Sequence, residues 1–252
     1  MNDFQKFLQL HNGTSPLLLG NCWDVSSAKL LEENGFKAIG TSSAAVARSL
    51  GYEDGEKMPF KLLLETVKRI RQHISLPFSV DMEKGYSDTA DGIIENIQQL
   101  YDSGIAGINI EDSKNRKLEP AASFAKTLSA IASRLAQKNM PFFINARTDA
   151  FLLQAPDPLN ETLERIKLYE SAGASGIFPA FIKEEADIKT VVASTALPVN
   201  VLPMPGFPGI AALTNWGVRR ISLGSGLFNA YKRDTVNTIT KILEQQSFDA
   251  LF

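Results

Sequence analysis

The sequence predicts an α/β protein built as a single (β/α)₈ barrel over residues 1–252, and three observations support that prediction. Eight strand-sized apolar runs alternate with amphipathic segments, a glycine recurs where a segment gives way to the next run, and no glycine-rich dinucleotide fingerprint follows an early run. Strand followed by helix, repeated, is the pattern of a parallel sheet. Eight such units close it into a barrel that gathers the C-terminal ends of its strands on one face. A doubly wound open sheet is the alternative, and the missing fingerprint counts against it.

The strands are expected at residues 17–19, 38–40, 78–80, 107–110, 142–144, 176–178, 199–202 and 220–223. Between them, helical periodicity falls on residues 27–34, 61–73, 91–102, 123–138, 159–172 and 184–194, and a long last helix is expected over 227–243. Gly35, Gly104, Gly173 and Gly217 mark a weak internal repeat in which glycine ends a helix in the left-handed conformation before the next strand starts. The strongest breaker, residues 204–209 (Met-Pro-Gly-Phe-Pro-Gly), follows the seventh strand and reads as a loop on the active-site face.

Composition narrows the function. The chain of 252 residues is 44% hydrophobic and 21% charged with net charge −2, so it can bury a sizeable core and presents no basic surface for nucleic acid. No apolar run reaches the roughly 18 to 20 residues needed to cross a bilayer. The first residues lack a basic segment followed by a hydrophobic one, so no secretory signal is expected and a cytoplasmic enzyme is the default. Cys22 is the only cysteine and reads as packing; with His11 and His73 the only histidines, a zinc cluster or a histidine triad is not expected.

Charged groups stand where the apolar runs stop: Asp81 and Glu83 after the third, Glu111 after the fourth, Arg147 after the fifth. Taken singly, each acid reads as a solvated loop residue or a partner of Lys84, Lys114 or Arg116. Three at consecutive strand ends suit a hard divalent cation such as Mg²⁺, which accepts one or two carboxylates directly and keeps several waters. If extended geometry persists across Met82, Asp81 and Glu83 share a face. Arg147, on the same strand face as Asn145, offers a planar fork to a substrate carboxylate, or alternatively an ion pair to Asp81 or Glu111. Asp112 and Asp149 are expected to support the site, accepting hydrogen bonds from backbone or arginine. Ser42 and Ser43 meet a helix N-terminus, and Asp54 sits in a glycine-rich acidic loop.

Read together, Thr41-Ser42-Ser43-Ala44-Ala45-Val46-Ala47, Leu50-Gly51-Tyr52 with Asp54, Asp81-Met82-Glu83 with Gly85-Tyr86, Ile110-Glu111-Asp112 and Asn145-Ala146-Arg147-Thr148-Asp149 resemble the isocitrate lyase and phosphoenolpyruvate mutase superfamily. The match runs in order from about residue 17 to the last helix. It implies a TIM barrel of the phosphoenolpyruvate/pyruvate-binding type, Mg²⁺ with Mn²⁺ as its substitute, and a small 2-oxo carboxylate handled through an enolpyruvate-like intermediate. It also implies a homodimer or homotetramer that exchanges C-terminal helices. By position, Asp81, Glu83 and Glu111 match the metal-shell acids, Ser42 and Ser43 the substrate-carboxylate loop, Arg147 and Asn145 the substrate-binding strand end, and Asp54 an acid near metal and substrate.

Three departures bear on the reaction. Residues 113–120 replace the lyases' gating motif with a shorter run that has neither cysteine nor histidine, although Lys114 and Asn115 supply polar groups. Phe178-Pro179-Ala180 stands where a glutamate is common, and Gly40 where lyases carry tyrosine. The resemblance therefore implies a lyase- or mutase-type enzyme acting on a C–C or P–C bond of an oxaloacetate- or phosphonopyruvate-like acid. Phosphoenolpyruvate phosphomutase proper and a carboxylate-binding barrel without turnover are the alternatives.

Overall fold

A computed structural model describes residues 1–252. The chain runs α1 (Asp3–His11), β1 (Leu17–Cys22), α2 (Val25–Glu33), β2 (Ile39–Thr41), α3 (Ser43–Ser49), α4 (Phe60–Arg71), β3 (Phe78–Asp81), α5 (Ala90–Asp102) and β4 (Gly107–Glu111). A hairpin of β5 (Ser113–Lys114) and β6 (Lys117–Leu118) follows, then α6 (Ala121–Gln137), β7 (Phe143–Thr148), α7 (Pro158–Ser171), β8 (Gly176–Pro179), α8 (Glu185–Ala193), β9 (Asn200–Val201), α9 (Ile210–Asn215), β10 (Arg220–Ser222) and α10 (Gly226–Gln245). All eight expected strands are present, in one parallel sheet of order β8-β7-β4-β3-β2-β1-β10-β9. A bridge between Ile177 and Val199 brings the two ends of that order together, so the sheet is a nearly closed barrel.

The helices form because apolar residues recur on one side of each and that side can be buried against the strands. Helix α4 turns Leu63, Leu64, Val67 and Ile70 inward, and α6 turns Phe124, Leu128, Ile131 and Leu135 inward. Gly35, Gly104, Gly173 and Gly217 all have φ between +79° and +94°, the conformation the internal repeat predicted. No helix is long and apolar enough to cross a membrane.

Helices α1 and α9 and the β5–β6 hairpin lie outside the expected pattern. Helix α1 starts with a reciprocal cap between Asn2 and Gln5 and closes the N-terminal end of the barrel, where Phe7 and His11 pack on Phe143. The β5–β6 hairpin turns through Asn115 and Arg116, both at positive φ, as a two-residue connection of this hand requires.

The barrel interior is more polar than the branched aliphatic layers usual in this architecture. Asn145 donates to Asn109 at 2.9 Å, Arg220 donates to the same oxygen at 3.0 Å, and Ser222 donates to Asn200 at 3.0 Å. Glycines make the room: a Cβ at Gly176 would meet Asn145 Oδ1 at 2.9 Å, and one at Gly40 would meet Leu19 at 3.0 Å. This polar interior leads upward to the charged residues at the strand ends.

Candidate active site

Parallel register sets the floor of the site. Asp81 pairs with Asn109, Asn109 with Asn145, and Glu111 with Arg147, so the ends of β3, β4 and β7 lie side by side. Asp81 is fixed by its neighbour strand: Thr41 Oγ1 accepts from the Asp81 amide at 2.9 Å, and Ser43 donates its hydroxyl to Asp81 Oδ2 at 2.8 Å. Ser43 thus serves Asp81, while Ser42 caps α3 by accepting from the Ala45 amide at 3.4 Å.

Glu83 reaches the site by a different route from the one the strand alternation suggested. Strand β3 ends at Asp81, and Glu83 has φ +50°, so a turn and not an extended segment presents its side chain. Glu83 is buried, and its two oxygens accept from the Glu56 amide at 2.7 Å and the Tyr86 hydroxyl at 2.8 Å. Burial, and then the neighbouring Asp81 charge, push its carboxyl up to about 7. Burial likewise raises Glu111, with Asp149, Asp81 and Glu83 adding to the effect and Arg147 opposing it.

Arg147 lies between two acids. It donates to Glu111 Oε2 at 2.9 Å through one terminal nitrogen and to Asp149 Oδ1 at 2.7 Å through Nε. Burial works against its charge, but Glu111, Asp149 and Asp81 hold it protonated. The ring of Phe178 lies 5.8 Å from the guanidinium, so the aromatic residue where a glutamate was expected in relatives gives Arg147 an apolar wall. Asn145 sits one layer lower, its amide directed to Asn109.

Asp149 also accepts from the Ser113 hydroxyl, and Asp112 accepts from Arg165 at 2.9 Å, from Tyr169 at 2.6 Å and from the Asp149 amide at 3.0 Å. Both acids therefore brace the site as supports. The short loop 113–120 is tied down by ion pairs of Lys114 with Asp88 and of Lys84 with Glu119. Above these groups opens a cleft of about 350 Å³ whose wall includes Asp54, Glu56, Glu83, Glu111, Arg147 and Asp149, with Lys114, Asn115 and Arg116 at the hairpin. Asp54 stands on an exposed loop, and its carboxyl is raised first by burial against the cleft and then by Asp81.

The fit to a divalent cation follows from the donors. No three His, Cys, Asp or Glu side chains are close enough to hold a metal ion directly. Each acid has a protein partner instead: Asp81 is engaged by Ser43, Glu83 by Glu56 and Tyr86, and Glu111 by Arg147. What the site offers is a group of hard oxygen donors with excess negative charge, suited to a cation that keeps most of its own water. Cys22 takes no part: it is buried and donates to the Gly40 carbonyl at 3.2 Å, and burial raises its thiol far above the usual range.

Glu56 and Tyr86 complete the site without standing out in the sequence, although Tyr86 follows closely on the acids. Neither belongs to a strand end, and the signal that could have found them is a charge and an aromatic next to glycine at Gly55 and Gly85.

Comparison with known proteins matches the chain, by sequence and by fold, to a lineage. An uncharacterised protein of Mycobacterium tuberculosis is 36% identical over 225 residues, which cover 89% of this chain and 83% of the relative. A crystal structure from Burkholderia cenocepacia J2315, of a protein provisionally named a phosphonomutase, superposes with TM-score 0.90 at 33% identity, covering 94% of this chain and 99% of that one. Phosphonopyruvate hydrolase in complex with oxalate and Mg²⁺ has the same fold, with TM-score 0.87 at 21% identity over 100% of this chain and 92% of that one. More distant relatives bear the names oxaloacetate decarboxylase and 2-methylisocitrate lyase. The family model described as phosphoenolpyruvate phosphomutase matches residues 7–243, and the chain belongs to that family, within the phosphoenolpyruvate mutase and isocitrate lyase superfamily.

Proposed function

We propose that the protein is a Mg²⁺-dependent enzyme of the lyase or mutase type, acting on a C–C or P–C bond of a small 2-oxo carboxylate such as oxaloacetate or phosphonopyruvate. The observation that carries this reading is Arg147 paired with Glu111 on a cleft that buried Glu83 also lines. Members of the superfamily are lyases and mutases of small carboxylates, and a phosphonopyruvate hydrolase of the same fold holds Mg²⁺ with oxalate.

Asp81, Glu83 and Glu111 would hold the cation, in part through water. When bound, the cation supplies Lewis-acid stabilisation of the negative charge that develops on the 2-oxo oxygen. Arg147 binds the substrate carboxylate with the donor capacity its two acids leave, and Phe178 keeps that side of the pocket apolar. Ser42, Ser43 and Asn145 are assigned to substrate binding by resemblance, Asn145 from the layer below. As the bond from C3 to the departing carbon or phosphorus breaks, its electron pair forms the C2–C3 double bond and the carbonyl π pair moves to the oxygen, giving the enolate of pyruvate. The departing group leaves without that pair, as carbon dioxide from oxaloacetate or as a phosphoryl group passed to an acceptor from phosphonopyruvate. The enolate then takes a proton at C3 or the transferred group at oxygen. Asp54, raised toward the neutral form, is positioned to manage that proton.

The hairpin that replaces the lyases' cysteine loop also supports a second reading, a carboxylate-binding barrel without turnover. The test is incubation of purified protein and Mg²⁺ with oxaloacetate, phosphonopyruvate, phosphoenolpyruvate and 2-methylisocitrate, following pyruvate, glyoxylate and phosphate. Turnover lost in Glu83→Ala and Arg147→Ala supports the enzyme; turnover unchanged in both overturns the site. A metal-dependent rise in melting temperature with no product supports the second reading.

The same reading includes a homo-oligomer with exchange of α10. Its support is the unpartnered apolar face of that helix, where Tyr231, Val236, Ile239 and Leu243 are all at least half exposed. Light scattering that gives a monomer mass at micromolar concentration would remove it.

A further inference from the structure

The loop between Leu50 and Met58 carries Asp54 to the cleft, and its anchorage is a closed set of three hydrogen bonds. The Glu56 amide donates to Glu83 Oε2 at 2.7 Å, the Tyr86 amide donates to Glu56 Oε1 at 2.6 Å, and the Tyr86 hydroxyl donates to Glu83 Oε1 at 2.8 Å. Each residue touches the other two. Glu56, Glu83 and Tyr86 also have φ of +58°, +50° and +58°. A side-chain-bearing residue in that region costs about 1 kcal/mol or more, so three in mutual contact persist only because their surroundings hold them.

We propose that Glu56 is a positioning residue that joins the Asp54 loop to Glu83, with Tyr86 completing the lock. The inference rests on the metal-dependent reading of the cleft and adds to it a coupling between the cation and the loop. Each Glu83 oxygen accepts one protein hydrogen bond and keeps a lone pair for a cation or its water. A cation, or its water, held on those lone pairs fixes the Glu83 carboxylate in the orientation in which its oxygens accept from the Glu56 amide and the Tyr86 hydroxyl. Cation binding therefore tightens the loop, and by reciprocity a tight loop raises cation affinity. Asp54, two residues before Glu56, is delivered to the cleft by the same closure.

Lys57 is exposed beside this lock, so trypsin cleavage after it reports loop opening. The quantity to read is the ratio of cleavage rates without and with saturating Mg²⁺, which cancels any effect of the residue next to the cut. In the parent protein Mg²⁺ should slow cleavage about tenfold. Glu56→Ala, which removes the acceptor for the Tyr86 amide, should bring that ratio close to one and raise the Mg²⁺ concentration for half-maximal thermal shift about tenfold. Glu56→Gln retains an acceptor oxygen and should keep most of the protection. Tyr86→Phe, which leaves the loop sequence intact, should lose part of it, and far-ultraviolet circular dichroism confirms that each variant is folded.

Protection in Glu56→Ala equal to the parent's overturns the inference. So does a parent protein that turns over with Mg²⁺ but shows no protection, and in that case the metal-dependent reading stands. A parent with neither a Mg²⁺-dependent melting shift nor turnover fails at the earlier reading, and the coupling falls with it.

Discussion

At the mouth of the barrel, Arg147 pairs with Glu111 and Asp149, with Asp81 and Glu83 at the neighbouring strand end, whereas at the floor Arg220 and His11 are buried with no carboxylate among their hydrogen-bond partners. The mouth is open to a cleft and has acid in excess, a state that a cation can relieve. The floor is sealed by α1: His11 stacks on Phe143 at 4.4 Å and Phe7 meets the same ring edge-on at 5.4 Å. Burial lowers Arg220 to about 9, with Asp81 opposing, and burial followed by the Arg220 charge lowers His11 to about 3. One end thus holds charge for a ligand to neutralise, and the other holds an arginine whose hydrogen-bond partners are all neutral. The contrast predicts that the two ends answer to substitution and to pH with opposite signs.

The largest effect belongs to the mouth. Arg147→Ala leaves Glu111 and Asp149 without their cation, and losing one partner of a buried ion pair costs about 3–5 kcal/mol. Urea unfolding of the metal-free variant should show that loss, and Mg²⁺ should recover more stability in the variant than in the parent. A loss below about 1 kcal/mol would place the three groups in effective contact with water, as at an exposed pair.

The pH response separates the ends next. His11 is held far below its ordinary value, so between pH 6.5 and 3 the unfolded state binds more protons than the folded one. Its contribution is complete above pH 6.5 and is lost as pH falls, about 2 kcal/mol of it by pH 5. Glu83 is raised from 4.5 to about 7, so in that window the folded state binds more protons and the metal-free protein loses stability as pH rises. The two slopes oppose each other between pH 5 and 6.5. His11→Leu should remove the floor's share, so that melting temperature falls with pH more steeply in the variant than in the parent. Parallel profiles would show that His11 titrates as an exposed imidazole.

The two ends also differed in how legible they were. The strands and the acids that end them could be read because a buried apolar run interrupted by charge is a local pattern, and Asp81, Glu111 and Arg147 each end one. Glu83 was found for a reason that fails, since its position depends on a turn at φ +50° and not on strand alternation. Its partner Glu56 lies 27 residues away in a loop with no periodicity, and only the folded chain brings them together. The floor has no such local pattern. Phe4, Phe7, Leu10 and His11 do fall on one side of a helix, but a nine-residue amphipathic segment at a chain end gives no hint that it seals a barrel. Arg220 was counted as part of an apolar strand, and its charge became informative only once its surroundings were known.

Arg220 also gives the smallest and most discriminating effect. Its NH2 group donates to Asn109 and its Nε to Ser222, but NH1 is buried without a partner, and the guanidinium lies 5.8 Å from the Phe7 ring. Asn109 keeps the Asn145 amide and Ser222 keeps Asn200 if the arginine is removed. Replacing an uncompensated buried charge by an apolar side chain of similar length is neutral or stabilising, so Arg220→Met should gain about 1 kcal/mol in urea unfolding without metal. It should also raise the His11 titration toward the ordinary value, because the Arg220 charge is the second cause of its depression. If Arg220→Met instead destabilises by more than about 2 kcal/mol, as loss of satisfied buried hydrogen bonds would, the floor holds its charge as firmly as the mouth does, and the contrast between the ends reduces to access to the cleft.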